Sequence, residues 1–125
     1  MATKKIGIIY SHGAPFEFLR FIFTYRERLY KNHNNISIVD CSRDIHLGLS
    51  SSDAVVAVCD HSDFSVGYGI ATAVERFRIP LLLVYKEGLS PNELIPGPAF
   101  VRTQAKTYKD MEDLLEKTKG FIEQI

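Results

Sequence analysis

Ala54–Ala73 reads AVVAVCDHSDFSVGYGIATA: an unbroken apolar run, a polar cluster, then the start of a helical pattern. Ala54–Cys59 shows no polar alternation and is rich in β-branched residues. That is the signature of a strand covered on both faces rather than one. Val66–Arg78 carries a helical pattern that Pro80 closes, since the residue before a proline is pushed out of the helical region. A fully covered strand feeding a helix is half of a βαβ unit, which joins parallel strands.

Working outward, the same alternation extends in both directions. Ile6–Tyr10 (IGIIY), Ile36–Val39 (ISIV) and Leu81–Tyr85 (LLLVY) are further short apolar runs. A fifth, Ala99–Arg102 (AFVR), follows a loop containing Pro91, Pro96, Gly97 and Pro98. Phe16–Tyr30 is an aromatic-rich amphipathic helix with Arg20, Arg26, Glu27 and Arg28 among its polar positions. Asp44–Ser51 offers a short helix. Tyr108–Gln124 offers a last one, with Thr107 as N-cap and Asp110 three residues on as its capping-box partner. The order β-α-β-(α)-β-α-β-loop-β-α predicts an α/β fold: one doubly wound, flavodoxin-like or Rossmann-like domain over residues 1–125 with a parallel five-stranded sheet. No repeat, low-complexity segment or linker interrupts it.

Composition narrows the function classes. Fifteen basic residues balance fifteen acidic ones, so no net field recruits nucleic acid or an anionic membrane. No run is long enough to span a bilayer, and no secretory leader precedes the first strand. The two cysteines, Cys41 and Cys59, have no CxxC spacing, and a reducing cytoplasm is the expected compartment. Cys41 reads as a loop-edge thiol and Cys59 as a buried strand end.

In doubly wound folds ligands bind beyond the carboxyl ends of the strands, near the switch in strand order. The loops Ser11–Pro15 and Asp60–Ser65 should meet there. The second holds Asp60, His61, Ser62, Asp63 and Ser65. One reading is a solvated turn in which Asp63 or Ser65 caps the next helix. The other is a helix N-terminus offering free N–H groups to a phosphate or sugar oxygen, with Gly67 allowing close backbone approach and Asp60 and Asp63 serving as a general base or binding ribose hydroxyls. Ser11 or His12 could face a phosphate from the other loop. A metal is not expected: Asp60, His61 and Asp63 would need His12, and the spacing matches no closed zinc pattern. His33 and His46 read as surface residues. A receiver domain lacks support because no carboxylate follows the first strand, and Ser11–Pro15 offers only one hydroxyl to a flavin phosphate. No nucleophile elbow or Walker motif is present.

Ser52-Asp53-Ala54-Val55-Val56-Ala57-Val58, with Asp63 and then Val66-Gly67-Tyr68, resembles the nucleoside 2-deoxyribosyltransferase superfamily, closest to its 2′-deoxynucleoside 5′-monophosphate N-glycosidases. Ile9-Tyr10 with Gly13, and the Tyr108–Leu115 segment, resemble it too. The resemblance implies that Tyr10 and Gly13 line the sugar or phosphate side of a pocket, and that Asp63 stands where the superfamily's transferases place a pocket aspartate and its monophosphate hydrolases a serine. It implies that Ser65 stands for a family glycine, and that Gly67 and Tyr68 keep their family identities. It also places Gly69 where the family carries the glutamate that attacks the anomeric carbon. Glu75, about 240° further around an ideal helix, faces away from that position. Asp60 and Asp63 remain as bases for direct hydrolysis, and Asp44 aligns with a family acid only after a one-residue shift.

Three functions follow as expectations. The first is a nucleoside- or nucleotide-binding protein with impaired or redirected catalysis, holding its ligand through Tyr10, Ser11, His12, Gly13, Ser65, Gly67, Tyr68 and Gly69. The second is an active N-glycosidase or deoxyribosyltransferase using Asp63 or Asp60. The third is a homodimeric interaction module built on Phe16, Phe18, Phe21, Phe23, Tyr25 and Tyr30. No cofactor is expected. Ala71 and Ala73 should pack tightly on the sheet.

Overall fold

The computed structural model describes residues 4–10, 20, 36–41, 44–59, 64–88 and 103–124, with Phe64 and Ser65 described for their backbone alone. Five parallel strands form one sheet: β1 (Lys4–Ile9), β2 (Ile36–Asp40), β3 (Ala54–Val58), β4 (Leu81–Lys86) and β5 (Thr103–Tyr108), in the order β2-β1-β3-β4-β5. This is the flavodoxin-like order, whose switch lies between β1 and β3. The α/β, doubly wound expectation is therefore met.

The unbroken apolar runs are buried as their pattern demands. Every residue of β3, and Leu81–Val84 of β4, has 0% exposure. Alternate residues of each strand enter opposite layers. On one face Ile6, Ile8, Val56, Val58, Leu82 and Val84 pack with Leu114, Leu115, Phe121 and Ile122 of a C-terminal helix, α3 (Met111–Glu123). On the other, Ile9, Val55, Ala57, Leu81 and Leu83 pack against α1 (Ile45–Ser50) and α2 (Phe64–Thr72).

Local chemistry sets the helix ends. Asp44 caps α1 by accepting from the Leu47 amide at 3.1 Å. α2 runs into a π-helical turn, Ala73–Phe77, and the chain leaves it through Arg78 in the left-handed region (φ 52°) before Pro80 and β4. That widened turn is absent from the sequence reading, which ran one helix through to Arg78.

Three expectations need correcting at the C-terminal end and in the packing. The fifth strand is Thr103–Tyr108, and the proposed strand Ala99–Arg102 lies outside the described residues. The last helix accordingly starts three residues later, with Asp110 as N-cap, accepting from the Asp113 amide at 2.9 Å. Thr107 and Tyr108 are committed to pairing with Tyr85 and Lys86 of β4, so neither can begin a helix. Ala73 is fully buried as expected, but Ala71 is exposed, on the outer side of α2. Of the proposed helix Phe16–Tyr30 only Arg20 is described, helical and exposed.

Candidate functional site at the carboxyl edge of the sheet

Beside the β1–β3 switch, α2 descends onto the carboxyl end of β1. Val66, Ile70 and Ala73 form a buried stripe at helical spacing, and Gly69 lies within it. A Cβ built on Gly69 would stand 3.0 Å from Ile9 Cδ1 and 3.3 Å from Ile9 Cγ2. The glycine is thus where the helix backbone rests on the last residue of β1. No side chain fits there unless Ile9 moves.

Tyr10 follows Ile9 and turns to the other face of the sheet. Its half-buried ring packs at the margin of the α3-side core. Its hydroxyl donates to Asp40 Oδ2, the terminal residue of β2, at 2.8 Å. Asp40 lies beside Ile8 in the β1–β2 register, and the next residue, Cys41, donates its amide to the Ile8 carbonyl at 3.0 Å. The two faces of β1's carboxyl end therefore carry different chemistry: a phenol–carboxylate pair on one and a bare helix backbone on the other.

Tyr68 is exposed, and its hydroxyl meets His46 Nε2 at 2.6 Å across the α1–α2 boundary, with the rings edge-on at 5.6 Å. The sequence reading had His46 as a plain surface residue. Contact partners 22 positions apart leave no local signal. The Tyr68 carbonyl also accepts from Thr72 Oγ1 at 2.7 Å.

Asp53, in the family-like segment, and Glu75, just beyond it, are placed away from this edge. Asp53 sits at the amino end of β3, where its carboxylate accepts from the Lys5 amide at 2.8 Å and its own amide donates to the Lys5 carbonyl at 2.7 Å. It pins β3 to β1 at the edge opposite the switch. Glu75 is exposed on the π turn.

The cysteines exchange the exposures expected of them. Cys41 is fully buried, wedged between Gly7 and Gly48, and Cys59 is half-buried. A Cβ on Gly7 would lie 2.6 Å from both Cys41 Sγ and Ser52 Oγ, and one on Gly48 would lie 2.8 Å from Cys41 Cα. Burial pushes the Cys41 thiol above its ordinary range, only partly offset by the Ser52 hydroxyl.

Asp60, Asp63, Ser11, His12 and Gly13 lie outside the described residues, as does the side chain of Ser65, whose backbone is in the first turn of α2. Among the described residues, no group of three or more His, Cys, Asp or Glu could hold a metal ion, and no helix is long and apolar enough to cross a membrane.

No family model matches the chain, and no curated protein matches it. Solved structures do. A de novo designed Rossmann 2x3 fold protein is similar over 97% of this chain and 90% of its own, with TM-score 0.65 at 11% identity. A conserved protein from Enterococcus faecalis is similar over 95% and 99%, with TM-score 0.62 at 18% identity. A lysine decarboxylase from Francisella novicida contains a similar region: TM-score 0.60, 14% identity, covering 99% of this chain but 18% of that enzyme. At such identities these likenesses speak for the fold alone, and they agree with the doubly wound sheet.

Proposed function

We propose that this chain binds a nucleoside or nucleotide at the carboxyl edge of its sheet and has little or no glycosyl-transfer activity. The observation that carries the reading is Gly69. Its position matches the reacting glutamate of the nucleoside 2-deoxyribosyltransferase superfamily that the segment Ser52–Ala73 resembles, and here it is a packing contact against Ile9. A chain that places a helix backbone against the strand at that point has no carboxylate there to attack an anomeric carbon. Loss of such a nucleophile removes several powers of ten in rate. Binding is supported by the strand order, which opens its crevice beside β1, and by polar groups at that edge.

The test is a thermal-shift panel of nucleosides and their 5′-monophosphates, paired with chromatographic detection of released base. Shifts without base release are the expected outcome. Robust turnover that disappears in Asp63→Ala would overturn the impaired-catalysis reading in favour of an enzyme using that aspartate. The absence of any shift would overturn the binding reading and favour the homodimeric interaction module.

A further inference from the structure

We propose that the outer edge of β5 is a self-association surface. A second copy of this chain adds its own β5 there, antiparallel about a two-fold axis at Ala105, and the two α3 helices meet at Gly120.

The main chain supplies the first part of the case. β5 ends the sheet, and among the described residues no strand pairs with its outer side. Just past β4, the Glu87 amide donates to the Tyr108 carbonyl at 2.8 Å. Main-chain groups alternate in direction along a strand. Gln104, Lys106 and Tyr108 therefore turn theirs toward β4, while Thr103, Ala105 and Thr107 turn theirs outward. Lys117 Nζ, from α3, donates to the outward carbonyl of Thr107. Ala105 is exposed at the middle of this row. Edges that must stay unpaired are blunted by prolines, bulges or charges. Thr103–Tyr108 has no proline, matches β4 residue for residue, and carries one charge, on Lys106.

α3 supplies the second part. Lys117 reaches Thr107, and Gln124 accepts from Gln104 Nε2 at 3.0 Å, so the flank that carries them overhangs β5. Gly120 lies between them, three residues from one and four from the other, on the same flank and level with the middle of the strand. Glycine is the poorest helix-interior residue after proline. Gly69, Gly7 and Gly48 each meet a neighbour that leaves no room for a Cβ, but a Cβ on Gly120 would meet nothing within 4 Å. Packing within the described chain does not call for this glycine. A close approach from outside does.

The edge is complementary to itself. With Ala105 opposite Ala105 of the second copy, the pair exchanges both N–H···O bonds, and each Thr103 faces a Thr107 in the same way. Lys106 then lies opposite Gln104 of the second copy. Centring the axis on Lys106 would set lysine against lysine, an unfavourable cross-strand pair. A two-fold perpendicular to the sheet keeps both α3 helices on one face and antiparallel, Gly120 toward Gly120. Each Lys117 is brought toward the carboxyl end of the other α3, where a cation is favoured. The crevice beside β1 and β3 stays uncovered, so this interface is independent of the ligand reading above.

Sedimentation velocity over a dilution series tests it, on the wild-type chain and on Ala105→Pro, Gly120→Lys and Ala105→Cys. The wild type should sediment as a dimer that dissociates on dilution. Ala105→Pro removes an outward amide that β4 does not use, so it should keep its circular dichroism and sediment as a monomer. Gly120→Lys sets like charges together at the axis and should raise the dimer dissociation constant about 10- to 100-fold. Paired residues that exchange both bonds have Cα atoms about 5.5 Å apart, within disulfide reach. Mild oxidation of Ala105→Cys should therefore link two chains through position 105, as read by non-reducing peptide mass spectrometry. Should Ala105→Pro fail to fold, the other two variants decide. A wild-type monomer at every concentration would overturn the proposal. A dimer with no linkage at position 105 would overturn the strand pairing, and an unchanged dissociation constant in Gly120→Lys would overturn the helix contact.

Discussion

Replacing Gly69 by alanine separates the packing reading of this residue from the ligand-approach reading. In a helix interior the change normally stabilises by about 1 kcal/mol, because glycine loses more backbone freedom on folding. Here the new methyl would stand 3.0 Å from Ile9 Cδ1 and 3.3 Å from Cγ2. Ile9 is 1% exposed, between the sheet and the helix, so it can yield only by displacing its own neighbours. Overpacking of this kind costs about 1–3 kcal/mol. The crowding therefore outweighs the propensity gain, and Gly69→Ala should destabilise by about 1 kcal/mol. Trimming the obstacle should reverse the sign. Ile9→Val removes Cδ1 and alone costs about 1 kcal/mol. In that background Gly69→Ala should be neutral or stabilising by about 0.5 kcal/mol, a favourable coupling of about 1–1.5 kcal/mol across the double-mutant cycle. Urea unfolding followed by far-ultraviolet circular dichroism measures all four species, and thermal midpoints should move by about 3–6 °C per kcal/mol. If Gly69→Ala stabilises by about 1 kcal/mol in both backgrounds, with additive effects, the helix does not rest on Ile9 as described.

Other positions give independent checks. Gly7→Ala should destabilise by about 2–3 kcal/mol in the same urea assay, since its methyl would overlap both Cys41 Sγ and Ser52 Oγ, and Cys41→Ala in the same chain should recover part of the loss. At pH 8 a thiol reagent should label Cys59 first and reach Cys41 only on unfolding, as followed by peptide mass spectrometry. With its folded-state value raised by burial, the Cys41 thiol contributes stability that is fully present below about pH 8.5 and is lost as pH rises from there through the folded value. An alkaline series should show that decline reduced in Cys41→Ala. Asp110→Ala should cost about 1 kcal/mol by removing the cap of α3, while Thr107→Val should leave the helix start intact, each read by circular dichroism and urea midpoint.

What could be read from sequence follows how strongly each element depends on burial. β3 and β4 are covered on both faces, so their residues had to be continuously apolar, and the pattern named both strands to within a residue. Among the described strands β5 pairs on one side only, and Thr103, Gln104, Lys106 and Thr107 are half-buried, with Ala105 exposed and Tyr108 alone buried. An edge strand of that kind carries almost no hydrophobic signal, and the more apolar AFVR drew the assignment away. The helix boundary then followed the error. Both Thr107 with Asp110 and Asp110 with Asp113 have capping spacing, and only the pairing of Tyr108 with Lys86 decides between them. In the second pair Asp113 reaches back to the Lys109 amide at 2.9 Å, which holds its carboxyl below the ordinary range, with the Lys117 ammonium assisting.

At the site the segment around Gly69 was legible as a helix start beside the switch, because the strand before it and the spacing after it are local features. Its contact with Ile9 was not, and neither was the Tyr10–Asp40 bond across 30 positions. The glycine nook around Cys41 left no pattern either: Gly7 comes from β1, and Gly48 and Ser52 from α1 and the turn just after it. Such contacts depend on strand order and register, which single-sequence periodicity does not encode.

The interior placement of β1 bears on how the chain acquires its structure. The strand lies between β2 and β3, yet it is the first of the five along the chain, and its tie to β3 through Lys5 and Asp53 spans 48 positions. No hairpin can start this sheet. Its first correct pairing must wait for a long loop to close, which places refolding in the slower range for domains of this size. Until then Ile6, Ile8 and Ile9 form an apolar strand with both edges open, the kind of segment another unfolded chain can pair with. A strand buried inside the finished sheet is therefore also where association between unfolded copies should begin.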